Sequence, residues 1–279
     1  LRIGDKSKNK KVSLYNLCKE ECMGVLICEI IMGILVIIAG TCIFSFLNVI
    51  IYRVPRQMSF IKCFSICPSC GKRLESKDLV PVFSYLFLNG KCRYCKASIG
   101  IRDTLIEVLG GLLALLCVYK YENYGTALTV FAFFCILTVV AFLDIETMEI
   151  EDGCQIAMVI LAAISIFTMP ETSLLARLAG ALCVSLPMLV LSIVIPGAFG
   201  GGDIKLMAAC GLFLGWKITL VSAALAILFG GIYGCYLLAA QKADRKAHFP
   251  FGPFLCIGMA ISLLYGIRLI DWYLSLMIY

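Results

Sequence analysis

The chain has 279 residues, of which 61% are hydrophobic and 15% charged, and it carries a formal net charge of +6. Apolar runs of membrane-spanning length recur from Val25 almost to the C-terminus, which excludes both an ordinary soluble domain and a disordered chain. Unpaired backbone groups are too costly in hydrocarbon, so such runs predict helices and an all-α, polytopic membrane protein in a lipid bilayer. The basic excess does not indicate nucleic acid, because no aromatic-basic stripe or binding motif accompanies it.

In chain order, residues 1–24 form a polar tail in which Arg2, Lys6, Lys8, Lys10, Lys11 and Lys19 are partly offset by Asp5, Glu20 and Glu21. The tail reads as mobile or interfacial, and it lacks the pattern of a cleaved secretory signal, so targeting falls to the first span. That span covers 25–52 and stops at Arg53, Pro55 and Arg56. Residues 53–103 form a polar insert holding ten of the 24 Lys and Arg residues. In the remainder, 104–279, spans are predicted near 104–119, 125–144, 154–169, 174–195, 204–216, 218–240 and 251–270. With the first, they make about eight transmembrane helices.

Lys and Arg are retained on the cytoplasmic side, which puts the insert there together with Lys242, Arg245 and Lys246 of the last basic loop. The tail then falls outside. The loops at 144–152 and 196–205 face the cytoplasm in the same topology.

Most of the 16 cysteines lie singly, often within apolar runs, as Cys28, Cys42, Cys135 and Cys183 do, and read as small buried hydrophobes. Four are different. Cys67-Pro68-Ser69-Cys70 and Cys92-Arg93-Tyr94-Cys95 are two Cys-x-x-Cys pairs with 21 residues between them, the spacing of a structural zinc ribbon. A reducing compartment favours metal over disulfide, and a small insert with little apolar core needs such a staple. A redox dithiol is the competing reading. Gly71 follows the first pair but no glycine follows the second, and Cys63 is left as a spare thiol.

The second constellation is Gly200-Gly201-Gly202-Asp203-Ile204-Lys205, opening an apolar run after Pro196 and Gly197. Asp203 could simply cap the helix it begins. A second aspartate argues for more: Asp144 follows an almost wholly apolar run and lies in or at the edge of the membrane, where a carboxylate defaults to a functional role. Two carboxylates brought together cannot both ionise easily, so one keeps a proton while the other activates water. That is aspartyl protease chemistry. Asp152 competes with Asp144 for the role, although Gly153 after it suggests a loop or cap. Glu146, Glu149, Glu151 and Asp152 read first as a solvated acidic loop, or as an attractor for a basic peptide. His248 is the only histidine, which argues against Ser-His or His-rich metal chemistry.

At these residues the chain resembles the type IV prepilin peptidases, of the Gly-x-Gly-Asp family of membrane aspartyl proteases, over about 38–256. The likeness rests on the segment from Ser45-Phe46-Leu47-Asn48 to Arg53-Val54-Pro55-Arg56, the four-cysteine insert and Pro81-Val82-Phe83-Ser84-Tyr85. It continues through Gly90-Lys91-Cys92-Arg93-Tyr94-Cys95, Asp144-Ile145-Glu146-Thr147-Met148, Gly202-Asp203-Ile204-Lys205-Leu206 and Pro250-Phe251-Gly252-Pro253. The resemblance implies a bacterial inner-membrane endopeptidase that removes the short basic leader of prepilins and pseudopilins at the cytoplasmic face, with Asp144 and Asp203 as its dyad. It further implies N-methylation of the new N-terminus with S-adenosylmethionine as donor, the cysteine insert favouring this bifunctional form because shorter relatives lack it. The rival reading from another class is an ion- or proton-coupled transporter using the same carboxylates.

Overall fold

In the computed structural model the described residues are 4–59, 64–67, 69–240 and 249–277, with side chains from residue 24 onward. Cys63, the charged side chains of the tail, and the loop carrying Lys242, Arg245, Lys246 and His248 lie outside them. The regular structure of the described residues is all helical, apart from isolated bridges between Ile66 and Arg73 and between Lys91 and Ser98.

Ten helices follow one another among the described residues. The first, α1 (Gly4–Arg53), starts some twenty residues before the apolar run, so the backbone of the tail is continuous with the first span. No proline occurs before Pro55 to interrupt it. The insert contains only the short α2 (Phe83–Phe87) and a 3-10 turn at Ser76–Asp78. Then come α3 (Ile101–Lys120), α4 (Tyr124–Thr147), α5 (Asp152–Thr168), α6 (Leu174–Cys183), α7 (Ser185–Val194), α8 (Gly201–Leu214), α9 (Trp216–Ala239) and α10 (Gly252–Met277). The apolar run predicted as one span at 174–195 is two helices broken at Val184. Pro187 explains the break, because it has no N–H and its ring clashes with the carbonyl four residues back.

Among the described residues five stretches are long and apolar enough to cross a membrane: Gly24–Arg53, Tyr124–Thr147, Leu174–Val194, Trp216–Ala239 and Gly252–Met277. The protein is therefore multi-pass. Helix α3 has the length but carries Arg102, Asp103, Glu107 and Lys120. Helix α8, with 14 residues, is only ~21 Å long, well short of a ~30 Å hydrocarbon core.

The chain divides into two compact units, one of Leu1–Ser45 with Glu75–Leu116 and one of Phe46–Leu74 with Cys117–Tyr279. In the first, Phe44 of α1 is fully buried over Gly110 of α3. In the second, α8 forms the centre, packed by α5, α6, α7 and α9, while α10 packs on α4 and α9. Its Leu206, Met207, Ala209, Cys210, Phe213 and Leu214 are all buried, and Phe213 stacks on Phe133 of α4 at 4.4 Å. Helices α6 and α8 touch backbone to backbone: a Cβ on Gly180 would stand 2.4 Å from the Gly211 carbonyl oxygen, so only glycine fits there.

At the end of α8 away from Asp203, the buried Arg177 of α6 joins three segments. Its guanidinium donates to the hydroxyl and carbonyl of Ser165, to the carbonyls of Met169 and Thr172, and to those of Leu212 and Phe213, at up to 3.2 Å. These acceptors lie in or next to the last turns of α5 and α8, whose unpaired carbonyls and negative dipole ends a planar cation satisfies together.

Candidate active site and cysteine cluster

Asp144 occupies the last turn of α4 and is 5% exposed. Its Oδ2 accepts a 2.9 Å hydrogen bond from the backbone N–H of Gly252, the first residue of α10. That N–H belongs to a helix N-terminus, where donors lack intrahelical partners and the dipole favours negative charge. Glycine is required at the contact: a Cβ on Gly252 would lie 2.7 Å from Oδ2 and 3.0 Å from Cγ of Asp144. Gly252→Ala is accordingly expected to displace the carboxylate and lower activity on the order of a hundredfold, the usual cost of an ångström of misplacement. An activity assay on the membrane-inserted variant checks this.

Asp203 sits in the first turn of α8, half-buried, after the N-cap Gly200. Its carboxylate folds back toward the Gly200 backbone, with Oδ2 3.3 Å from where a Cβ of that glycine would stand. Ile150, six residues after Asp144, stands 3.1 Å from where a Cβ of Gly202, the neighbour of Asp203, would lie, so the loop that leaves α4 runs against the start of α8. The fold thus brings the two predicted carboxylates together from helix ends separated by 59 residues of sequence.

Asp152 does not join them in the same way. It opens α5 with its side chain 72% exposed and pairs with Lys205 at 2.8 Å. Gln155, one turn on and buried, directs Nε2 to the Gly202 carbonyl at 3.5 Å, and Ile150 packs against Gly202. Of the remaining acidic loop, Glu146 stands 3.9 Å from Arg56, while Glu149 and Glu151 are exposed. The supporting roles of Gly252, Gln155 and Arg177 escaped the sequence reading. Arg177 at least carried a signal, since a lone arginine inside an apolar run needs a partner or a purpose.

The four cysteines form two turns of the same construction. In the first, Cys67 N–H donates to Lys72 O at 2.9 Å and Gly71 N–H to Cys67 O at 2.9 Å; in the second, Cys92 N–H donates to Ala97 O at 2.8 Å and Lys96 N–H to Cys92 O at 3.0 Å. Gly71 has φ +70° and Lys96 φ +60°, so the lysine adopts the left-handed conformation that glycine takes in the first turn. All four Sγ atoms lie within 4.8 Å of one another. Four thiols so gathered, with no disulfide among the described residues, are a donor set that fits a tetrahedral zinc ion.

Comparison with known proteins gives the family. The family described as Bacterial Peptidase A24 N-terminal domain matches residues 38–121, and the Type IV leader peptidase family matches residues 131–235, a range containing both Asp144 and Asp203. The Prepilin leader peptidase/N-methyltransferase of Bacillus subtilis (strain 168) is 30% identical over 227 residues, covering 80% of this chain and 90% of its own length. Proteins of the same name from Aeromonas salmonicida (strain A449) and Pseudomonas aeruginosa are 29% and 28% identical, covering 86% and 91% of this chain and 93% and 94% of their own. No solved structure matches. The chain belongs to the type IV leader peptidase family, that of the prepilin peptidases.

Proposed function

We propose that the protein is a membrane aspartyl endopeptidase that removes the short basic leader of type IV prepilins and pseudopilins and then N-methylates the residue it exposes. The observation that carries this reading is the family match spanning two carboxylates at the ends of α4 and α8, one of them held by a helix N-terminus. Asp144 and Asp203 form the dyad. The ionised carboxylate takes a proton from water as the water oxygen bonds to the scissile carbonyl carbon, and its protonated partner donates to the carbonyl oxygen. Collapse of the tetrahedral species breaks the C–N bond, with a proton passing to the leaving amine. Burial of Asp144 supports the shared-proton state, because two carboxylate charges close together with one of them out of water cannot both be stabilised. Asp152, exposed and ion-paired to Lys205, is better suited to steadying the first turn of α8 than to replacing Asp144.

The freed amine accepts its methyl group from S-adenosylmethionine. The described residues contain no sheet, so this donor is bound by helices or by the insert, not on a strand-to-helix phosphate turn. The topology we assign is eight transmembrane helices in the bacterial inner membrane, with the short α8 enclosed by its neighbours and the acidic loop, the Gly-x-Gly-Asp loop and the insert all cytoplasmic. The basic charge of the insert supports that orientation.

Cys67, Cys70, Cys92 and Cys95 hold a structural zinc ion, which supplies folding energy to the insert and closes its own coordination shell. Metal analysis of the purified protein is expected to find a single zinc per chain, lost when Cys67 and Cys92 are both replaced by serine. Protein with all four cysteines and no zinc would contradict the assignment. Cleavage itself is tested by the mass of the mature pilin N-terminus, which reports leader removal and methylation together. Intact prepilin in cells expressing this protein as their sole peptidase would reject the reading.

A further inference from the structure

The five-residue helix α2 presents an apolar face to its surroundings. Phe87 is 83% exposed, Leu86 61% and Phe83 55%, and the rings of Phe83 and Phe87 stack with centroids 6.5 Å apart. A cleft of about 310 Å³ opens beside them, lined by Val80, Phe83, Phe87 and Leu88 together with Lys77 and Arg93. A patch of this kind on a water-bathed insert needs an occupant.

Helix α3 sets the level at which that face lies. The backbone N–H of Val82, just before α2, donates to Oε2 of Glu107 at 2.8 Å. Glu107 is six residues into α3, ~9 Å along its axis, and it sits among Leu105, Leu109 and Leu112, all exposed apolar residues. A carboxylate at the height of apolar turns requires a donor, and the turn before α2 provides it. That turn is a strained one. Val82 has φ +62° and ψ −51°, with Phe83 N–H closing on Pro81 O, the rare positive-φ γ-turn that a β-branched residue avoids. The chain therefore accepts strain to bring α2 down beside the first apolar turns of α3.

We propose that α2 is an interfacial foot, with Phe83, Leu86 and Phe87 inserted at the headgroup and acyl-chain boundary of the leaflet from which the insert projects. The occupant is lipid, and it is recognised by apolar area, not charge. The two cations that line the cleft are paired, Lys77 with Glu75 at 2.7 Å and Arg93 with Asp78 at 2.6 Å. Insertion should accordingly occur in a neutral bilayer. The inference rests on α3 lying in the bilayer and is independent of the protease chemistry.

The test replaces Trp216 and Trp272 with phenylalanine and introduces Phe87→Trp as the sole indole, in full-length protein reconstituted into phosphatidylcholine vesicles. Leu86→Trp serves as a second reporter should the first variant lose its zinc or its prepilin cleavage. The expected result is blue-shifted emission, most of it lost to lipids brominated near the top of the acyl chain, with little lost to aqueous iodide. Emission quenched by iodide and indifferent to brominated lipid would overturn the proposal in favour of a solvated face. A blue shift appearing only when a prepilin peptide is added would overturn it in favour of a protein-binding face.

Discussion

Asp144→Asn and Asp203→Asn are each expected to lower cleavage of a co-expressed prepilin by roughly a thousandfold or more, within the range for losing a positioned acid or base from a unit that works jointly. The amide preserves shape: at position 144 its carbonyl oxygen can still accept the Gly252 N–H, so the ends of α4 and α10 stay joined. What it removes is the oxygen able to trade a proton with water or with the scissile carbonyl. Both variants should reach the membrane in normal amount and retain their zinc, which separates lost chemistry from lost folding. Asp152→Asn is the matched comparison. Its carboxylate is exposed and paired with Lys205, an interaction worth little in water, so that variant should keep most of its activity. Normal processing by the Asp144 or Asp203 variant, read from the pilin N-terminal mass, would sink the dyad; loss in Asp152→Asn alone would move the role to that residue.

Arg177→Met should cause the largest loss of stability. This guanidinium donates six hydrogen bonds, two to Ser165 and one each to Met169, Thr172, Leu212 and Phe213. At ~0.6 kcal/mol for an average bond inside a membrane protein, they sum to a loss of about 3–4 kcal/mol. For a chain of this size that is a fall in melting temperature of roughly 6–16 °C, measured by loss of monodisperse protein in detergent on heating. Methionine nearly matches the volume, so the loss reports the bonds and not a cavity. Arg177→Lys should recover only part of it, because a compact ammonium cannot satisfy carbonyls on two helix ends at once. A melting temperature unchanged in Arg177→Met would show that water or relaxation replaces these bonds.

Some features were legible in the sequence because they are local. The two Cys-x-x-Cys turns are set by residues within six positions of each other, and the apolar runs fix helices without reference to anything distant. Asp144 and Asp203 stood out by the same logic, as charges against an apolar background. The rest depends on contacts between distant segments. Nothing in the chain near Gly252 says that its N–H faces Asp144, 108 residues earlier. The split of the run after Leu174 needed Pro187 to be weighed against an otherwise continuous apolar pattern, and the left-handed Lys96 shows a turn imposing its conformation on a residue that would not choose it.

The shortness of α8 bears on how the enzyme comes into being. A helix of 14 residues that cannot span hydrocarbon by itself is not an independent unit of membrane insertion. It gains a place only when α5, α6 and α9 stand ready to enclose it, and Asp203 is carried at its head. If Asp144 and Asp203 work as the proposed dyad, the half-built chain holds one carboxylate without the other, and the capacity to cut peptides arrives only with completed assembly.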